Sequence, residues 1–213
     1  MTKIRISSLH KKMKKKTLLH DINYEFNSGK IYGLYGRNGS GKTMLLRAIA
    51  GLIMPSSGEI AIDEKILHKD ISFPANSSVI IENTSLLHQY DAYTNLKILA
   101  KIRNIATDED IKANIKRVGL DPESKMKVGK FSLGMKQRLS VAQAIFEKPD
   151  ILLLDEPTNA IDEEGVTLVY QILKEEKERG ALILLTSHHK QDLEALADEF
   201  VKMDNGGIVL DSK

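Results

Sequence analysis

The 213-residue sequence predicts an α/β fold: a mostly parallel sheet with helices on both faces, an N-terminal antiparallel β subdomain, and an inserted α-helical subdomain. Three observations lead there. The apolar runs Ile31-Tyr32-Gly33-Leu34-Tyr35, Ser78-Val79-Ile80-Ile81, Ile151-Leu152-Leu153-Leu154 and Ala181-Leu182-Ile183-Leu184-Leu185 alternate with helical patterns, as buried parallel strands with helical crossovers do. Residues 2–26 instead read as successive strands with no helix between them. Residues 84–146 change character and carry apolar residues at helical spacing.

In chain order, Thr2 to Ile6 alternates polar and apolar side chains like a strand. The basic run His10-Lys11-Lys12-Met13-Lys14-Lys15-Lys16 reads as a solvated hairpin loop, although its charge would also suit an anionic lipid or a nucleotide. Leu18 to Phe26 reads as a second strand, and Asn27-Ser28-Gly29-Lys30 turns into the third.

That third strand, Ile31–Tyr35, runs into Gly36-Arg37-Asn38-Gly39-Ser40-Gly41-Lys42-Thr43, and Met44 to Ala50 follows as a helix. The segment fits the phosphate-binding loop G-x-x-x-x-G-K-[ST] in its strand–loop–helix context. Glycines let the backbone wrap closely around phosphate, and its N–H groups form an anion nest at a helix N-terminus. Lys42 can reach the β- and γ-phosphates, and the Thr43 hydroxyl can hold Mg²⁺.

Pro55-Ser56-Ser57-Gly58 is a turn, Glu59 to Ile62 a short strand, and the run ending at Ile81 meets Glu82-Asn83. In the helical region, Asn95 to Ile102 has helical spacing, and Thr107-Asp108-Glu109-Asp110 reads as a cap. Ile111, Ile115 and Val118 then share one face before Gly119 and Pro122, and Ser132 opens a helix through Arg138, Ala142 and Ala144. Glu163 to Arg179 and Lys190 to Ala197 read as helices. Asp204-Asn205-Gly206-Gly207 is hairpin chemistry between Phe200–Met203 and Ile208–Leu210.

Ile151–Leu154 ends in Asp155-Glu156, and strand C-termini line the ligand crevice of open α/β sheets. Asp155 there can bind Mg²⁺, and Glu156 can orient or deprotonate an attacking water. Together with the phosphate loop this makes a nucleoside-triphosphatase site.

Bulk properties bound the rest. Lys and Arg number 31 against 29 Asp and Glu, so no large single-sign field points to nucleic acid. The absence of cysteine excludes disulfides and thiolate metal sites. No apolar run approaches the ~20 residues of a membrane span, and the first residues lack the apolar core of a secretory signal. The expectation is a cytoplasmic protein whose membrane role comes through a partner.

The combined pattern resembles the ATPase subunits of ABC transporters, and the resemblance covers nearly the whole chain in family order. Gly36–Thr43 looks like Walker A and Ile151–Glu156 like Walker B. Ser132-Leu133-Gly134-Met135-Lys136-Gln137 looks like the signature motif and Asn159-Ala160-Ile161-Asp162 like the D-loop, while His188 falls at the switch histidine.

The resemblance implies a P-loop NTPase (RecA-like) fold in a single ABC ATPase domain, 1–213. Its ATP-binding core would be residues 1–83 and 147–213, with 84–146 as the helical signature subdomain. It implies ATP and Mg²⁺ as cofactors, with Thr43, Asp155 and Glu82 at the metal and Glu156, His188 and Lys42 as the catalytic set. Two copies would sandwich ATP head to tail, the signature residues of one acting in trans on the nucleotide held by the other. The partners would be a second copy and a separately encoded transmembrane permease, with the protein peripheral at the inner face of the membrane. A soluble ABC-type ATPase of an assembly or remodelling complex is the alternative.

Four departures stand out. Leu133 and Met135 replace a glycine and a glutamine of the signature, Glu82 stands where a glutamine is usual, and Met13 falls near the place of an adenine-stacking aromatic ring. The signature resembles variants of small drug- and peptide-exporter subunits, and the resemblance through Glu82, Ser132-Leu133-Gly134 and the short C-terminus favours export. Leu86, Leu87, Tyr90 and Tyr93 would either meet the permease or pack within the helical insert.

Overall fold

The computed structural model describes residues 2–14, 16–81, 86–188 and 190–209. In chain order the strands are β1 (Lys3–Met13), β2 (Lys16–Asn27), β3 (Ile31–Tyr35), β4 (Ser57–Ile62), β5 (Lys65–Ile66), β6 (Ser77–Ile80), β7 (Ile151–Leu154), β8 (Leu182–Ser187), β9 (Glu199–Asp204) and β10 (Gly207–Val209). The helices are α1 (Lys42–Ile49), α2 (Ala92–Arg103), α3 (Asp108–Arg117), α4 (Leu133–Ile145), α5 (Glu163–Glu178) and the single turn α6 (Gln191–Glu194).

Two sheets result. The first, ordered β2-β1-β4-β5, is antiparallel throughout. The second, ordered β10-β9-β3-β8-β7-β6, is parallel except for the edge pair β10–β9. Its central strands are buried on both faces, as parallel sheets require. Leu152 and Leu154 of β7 and Ile183 and Leu185 of β8 face a core shared with α2, α3, α4 and α5. Ile151, Leu153, Leu182 and Leu184 face the opposite core, shared with α1 and the antiparallel sheet. The mixed α/β architecture is the one expected from the sequence.

Local chemistry sets the element ends. Thr107 and Asp110 form a reciprocal capping box that opens α3, Asp91 caps α2, and Asp162 caps α5. Asn205 and Gly206, both at positive φ, make the tight turn between β9 and β10.

Two expectations need correction. The basic run is a loop only in part: β1 reaches Met13, pairing Lys12 with Thr17 and Met13 with Lys16, and Lys14 takes the turn. Ladder bonds use only backbone, so lysines are accommodated where the strand face meets water. Lys12 N donates to Ser56 Oγ at 3.0 Å, which ties that end of the strand to the β4 side. The helix expected from Lys190 to Ala197 is only the turn α6. The chain must straighten at Asp198, whose carboxylate accepts from Ile31 N at 2.8 Å to start β9 beside β3.

The register brings Tyr35 beside Ser187 and Leu154 beside Leu185. The segments that follow β3, β7 and β8 therefore leave the sheet side by side, at its carboxyl edge.

Candidate nucleotide site

The loop Gly36–Thr43 leaves β3 and ends in α1. A Cβ on Gly36 would lie 2.2 Å from Met203 O, so only glycine lets the loop pass so close to β9. Lys42 is 6% exposed, and its ammonium donates to Gly36 O at 2.7 Å and Arg37 O at 3.4 Å. Burial pulls its pKa below the usual lysine range, and the nearby carboxylates of Glu156 and Asp155 work against that shift. Ser40 is 4% exposed, and its Oγ has no hydrogen-bond partner among the described residues. A buried polar atom left unpaired inside an anion-binding loop suits a site built around a ligand.

Asp155 and Glu156 follow β7 directly. Thr43 Oγ1 donates to Asp155 Oδ2 at 2.7 Å, and Thr186 Oγ1 donates to Asp155 Oδ1 at 2.5 Å. Thr186 also accepts from Glu156 N at 3.1 Å. Glu156 Oε1 lies 2.6 Å from His188 Nε2. Phosphate loop, Asp155, Glu156 and His188 thus converge from three adjacent strand ends. Thr186 was missed by sequence reasoning; its only signal was a threonine closing an apolar run just before Ser187-His188.

Two cavities flank the loop. One of about 200 Å³ is walled by Lys16, Leu18, Asn38 to Met44, Glu156 and His188. The other, about 620 Å³, lies between Tyr35–Ser40, His188 and the β9–β10 turn. Leu18 of β2 is therefore a site-lining residue that sequence reasoning did not single out, and Lys16 beside it closes the basic run whose charge would suit a nucleotide. Met13 is 53% exposed at the end of β1 and lies in neither wall, although its pairing partner Lys16 does. Glu82 lies outside the described residues.

Ser132 caps α4 by accepting from Met135 N at 3.1 Å. Ser132 is exposed and Leu133 is 65% exposed, and no residue from Ser132 to Lys136 walls either cavity. Gln137 instead turns inward, donating to Glu156 O and Pro157 O at 3.3 and 3.1 Å. Asn159, Ala160 and Ile161 continue the Glu156 turn, and Asp162 caps α5 by accepting from Gly165 N. Leu86 and Tyr93 pack against the helical core, whereas Leu87 and Tyr90 are exposed.

Among the described residues no cluster of three His, Cys, Asp or Glu could hold a metal by itself. Thr43 and Asp155 do offer two hard oxygen donors at one point. Such hard oxygen donors would suit Mg²⁺, which prefers oxygen ligands and is bound through one or two protein groups beside substrate phosphates. No helix among the described residues is long and apolar enough to cross a membrane.

A family model described as ABC transporter matches residues 19–159. An uncharacterized ABC transporter ATP-binding protein of Bacillus subtilis, YybJ, is 60% identical over 99% of this chain and 96% of its own length. The lantibiotic transport ATP-binding protein SrtF of Streptococcus pyogenes is 33% identical over 99% of this chain and 90% of its own. The bacitracin transport ATP-binding protein BcrA of Bacillus licheniformis is 38% identical over 98% of this chain and 69% of its own. Among solved structures, a dimeric ATP-binding cassette in a post-hydrolysis state, bound to ADP and Pi, shares the fold. Its TM-score is 0.86 at 20% identity, over 99% of this chain and 98% of that one.

Proposed function

The chain belongs to the ABC transporter family, and from that premise we propose that it powers a separately encoded exporter of peptide-like antibiotics by hydrolysing ATP in a two-copy sandwich. It is an ATPase with ATP and Mg²⁺ as cofactors, working with a separate permease. The antibiotic class is suggested by the lantibiotic and bacitracin relatives. A location at the inner face of the membrane, through the permease, accompanies that reading.

The observation that carries the site assignment is the convergence of Lys42, Thr43, Asp155, Glu156 and His188 at one sheet edge while the exposed Ser132 stands outside it. In this reading such a subunit would hold a nucleotide without its own Ser132 at the γ-phosphate. A second copy, turned head to tail, would bring Ser132 and the Gly134 amide to it.

In the proposed chemistry Gly36 to Thr43 cradle the phosphates and Lys42 neutralises the β/γ oxygens. Thr43 and Asp155 would hold Mg²⁺, which supplies charge neutralisation at the phosphates. The Glu156 carboxylate takes a proton from the attacking water, whose oxygen bonds to the γ-phosphorus. The bond from that phosphorus to the β–γ bridging oxygen breaks, giving ADP and inorganic phosphate. His188 orients Glu156 and the water. Residues 1–83 and 147–213 serve as the ATP-binding core and 84–146 as the helical part that meets the permease, with Leu87 and Tyr90 exposed for it.

The test is the Glu156→Gln protein with ATP. Turnover should fall by about 10²-fold or more, as loss of a general base does. Sedimentation should show an ATP-dependent dimer, and a tagged copy should recover a polytopic membrane protein in near-equal amount from solubilised membranes of the host. Recovery of soluble partners alone would remove the exporter reading.

A further inference from the structure

The turn that carries Glu156 is held from two sides. Glu156 has φ 49°, a left-handed conformation that a non-glycine residue keeps only when its surroundings impose it. Its amide donates to Thr186 Oγ1 at 3.1 Å. Its carbonyl accepts from Asn159 N at 3.1 Å within the turn, and from Gln137 Nε2 at 3.3 Å. The same Gln137 amide reaches Pro157 O at 3.1 Å.

Around Gln137 the approach is close. A Cβ on Gly134 would lie 2.9 Å from Ala160 O, so the first turn of α4 rests on the backbone that follows Glu156. The family resemblance groups Gln137 with residues that act across the dimer. In this structure its side-chain donors are engaged with carbonyls of its own subunit.

We propose that Gln137 is a positioning residue acting in its own subunit, holding the Glu156–Pro157 backbone so that the Glu156 carboxylate stays aimed at His188 and the phosphate-loop cavity. This rests on the reading of Glu156 as the group that activates water.

The test uses Gln137→Leu, which removes the donors at similar volume, and Gln137→Glu, which keeps the shape but replaces the amide by a carboxylate. Either variant that folds should lower kcat by roughly 10- to 100-fold, the size of effect a small misplacement of a reacting group produces. KM for ATP should stay within about twofold, since interactions absent from ground-state binding leave KM alone. Placed on Glu156→Gln, either variant should leave the ATP midpoint of dimerisation unchanged. A raised KM, or loss of the ATP-dependent dimer in the double variant, would put Gln137 on the partner's nucleotide and overturn the proposal, as would unchanged kcat. Failure of Glu156→Gln alone to dimerise would instead count against the sandwich reading on which this rests.

Discussion

Thr186 does the most for its size. One buried hydroxyl donates to Asp155 and accepts from the amide of Glu156, so it fixes both acidic residues at once. Thr186→Val keeps the volume and removes both bonds, leaving Asp155 Oδ1 and Glu156 N to find other partners. We expect a stability loss of about 1–3 kcal/mol in urea denaturation, the cost of stranding buried polar groups. Turnover should fall by more than nucleotide affinity, and Thr186→Ser should restore most of both. Unchanged turnover in Thr186→Val would show that Asp155 and Glu156 hold their places unaided. At this scale the residues legible in the sequence were those that form contiguous patterns. Gly36 to Thr43 and Asp155-Glu156 announce their chemistry because neighbours in sequence are neighbours at the site. Thr186 and the inward turn of Gln137 depend on β8 lying beside β7 and on α4 lying over the Glu156 turn. No local spacing encodes either.

Elements were legible where their signals are local. The Thr107 capping box is complete within four residues: Thr107 Oγ1 accepts from Asp110 N at 3.1 Å, and the Asp110 carboxylate accepts from Thr107 N at 3.0 Å. Thr107→Ala should destabilise the protein by about 1 kcal/mol, while Thr107→Ser should cost only a few tenths. Chemical denaturation reads both, and an equal loss in the two variants would mean that the methyl group matters and the cap does not. The basic run misled because charge composition reports exposure and says nothing of backbone pairing, and β1 is exposed at that end while still laddered to β2. The helix after His188 was overextended because apolar spacing at Leu193 and Leu196 fits helical periodicity. What ends it is tertiary: Asp198 is claimed by the backbone of Ile31.

For the molecule as a whole, apolar runs foretold a doubly buried parallel sheet, but strand order was not written in them. Placing β3 between β8 and β9, and the antiparallel sheet over one face, follows from crossovers that sequence periodicity does not rank. The seam between the sheets is aromatic. Tyr24 and Phe26 of β2 lie 4.6 Å apart, and Phe26 meets Tyr32 of β3 edge-on at 4.9 Å. Tyr32 Oη accepts from Asn27 N at 2.9 Å, and Tyr24 Oη donates to Glu199 of β9 at 3.3 Å. Burial, reinforced by the Glu199 charge, pushes the Tyr24 hydroxyl up to about 12. Burial is also the leading cause of upward shifts at Tyr32 and Tyr170. In the unfolded chain a tyrosine ionises near pH 10. Below that value both states hold the proton and the seam contributes fully. Above it the unfolded chain releases protons that the folded one retains, so stability falls as pH rises from about 10 towards 12. The melting temperature should therefore drop across that window, and Tyr24→Phe, which has no proton to lose, should flatten part of the drop. Phenolate absorbance should show a class of tyrosines titrating above the ordinary value. A melting temperature level between pH 10 and 12, with all six tyrosines titrating together near 10, would mean that water reaches the seam and that the two sheets are joined less tightly than their packing shows.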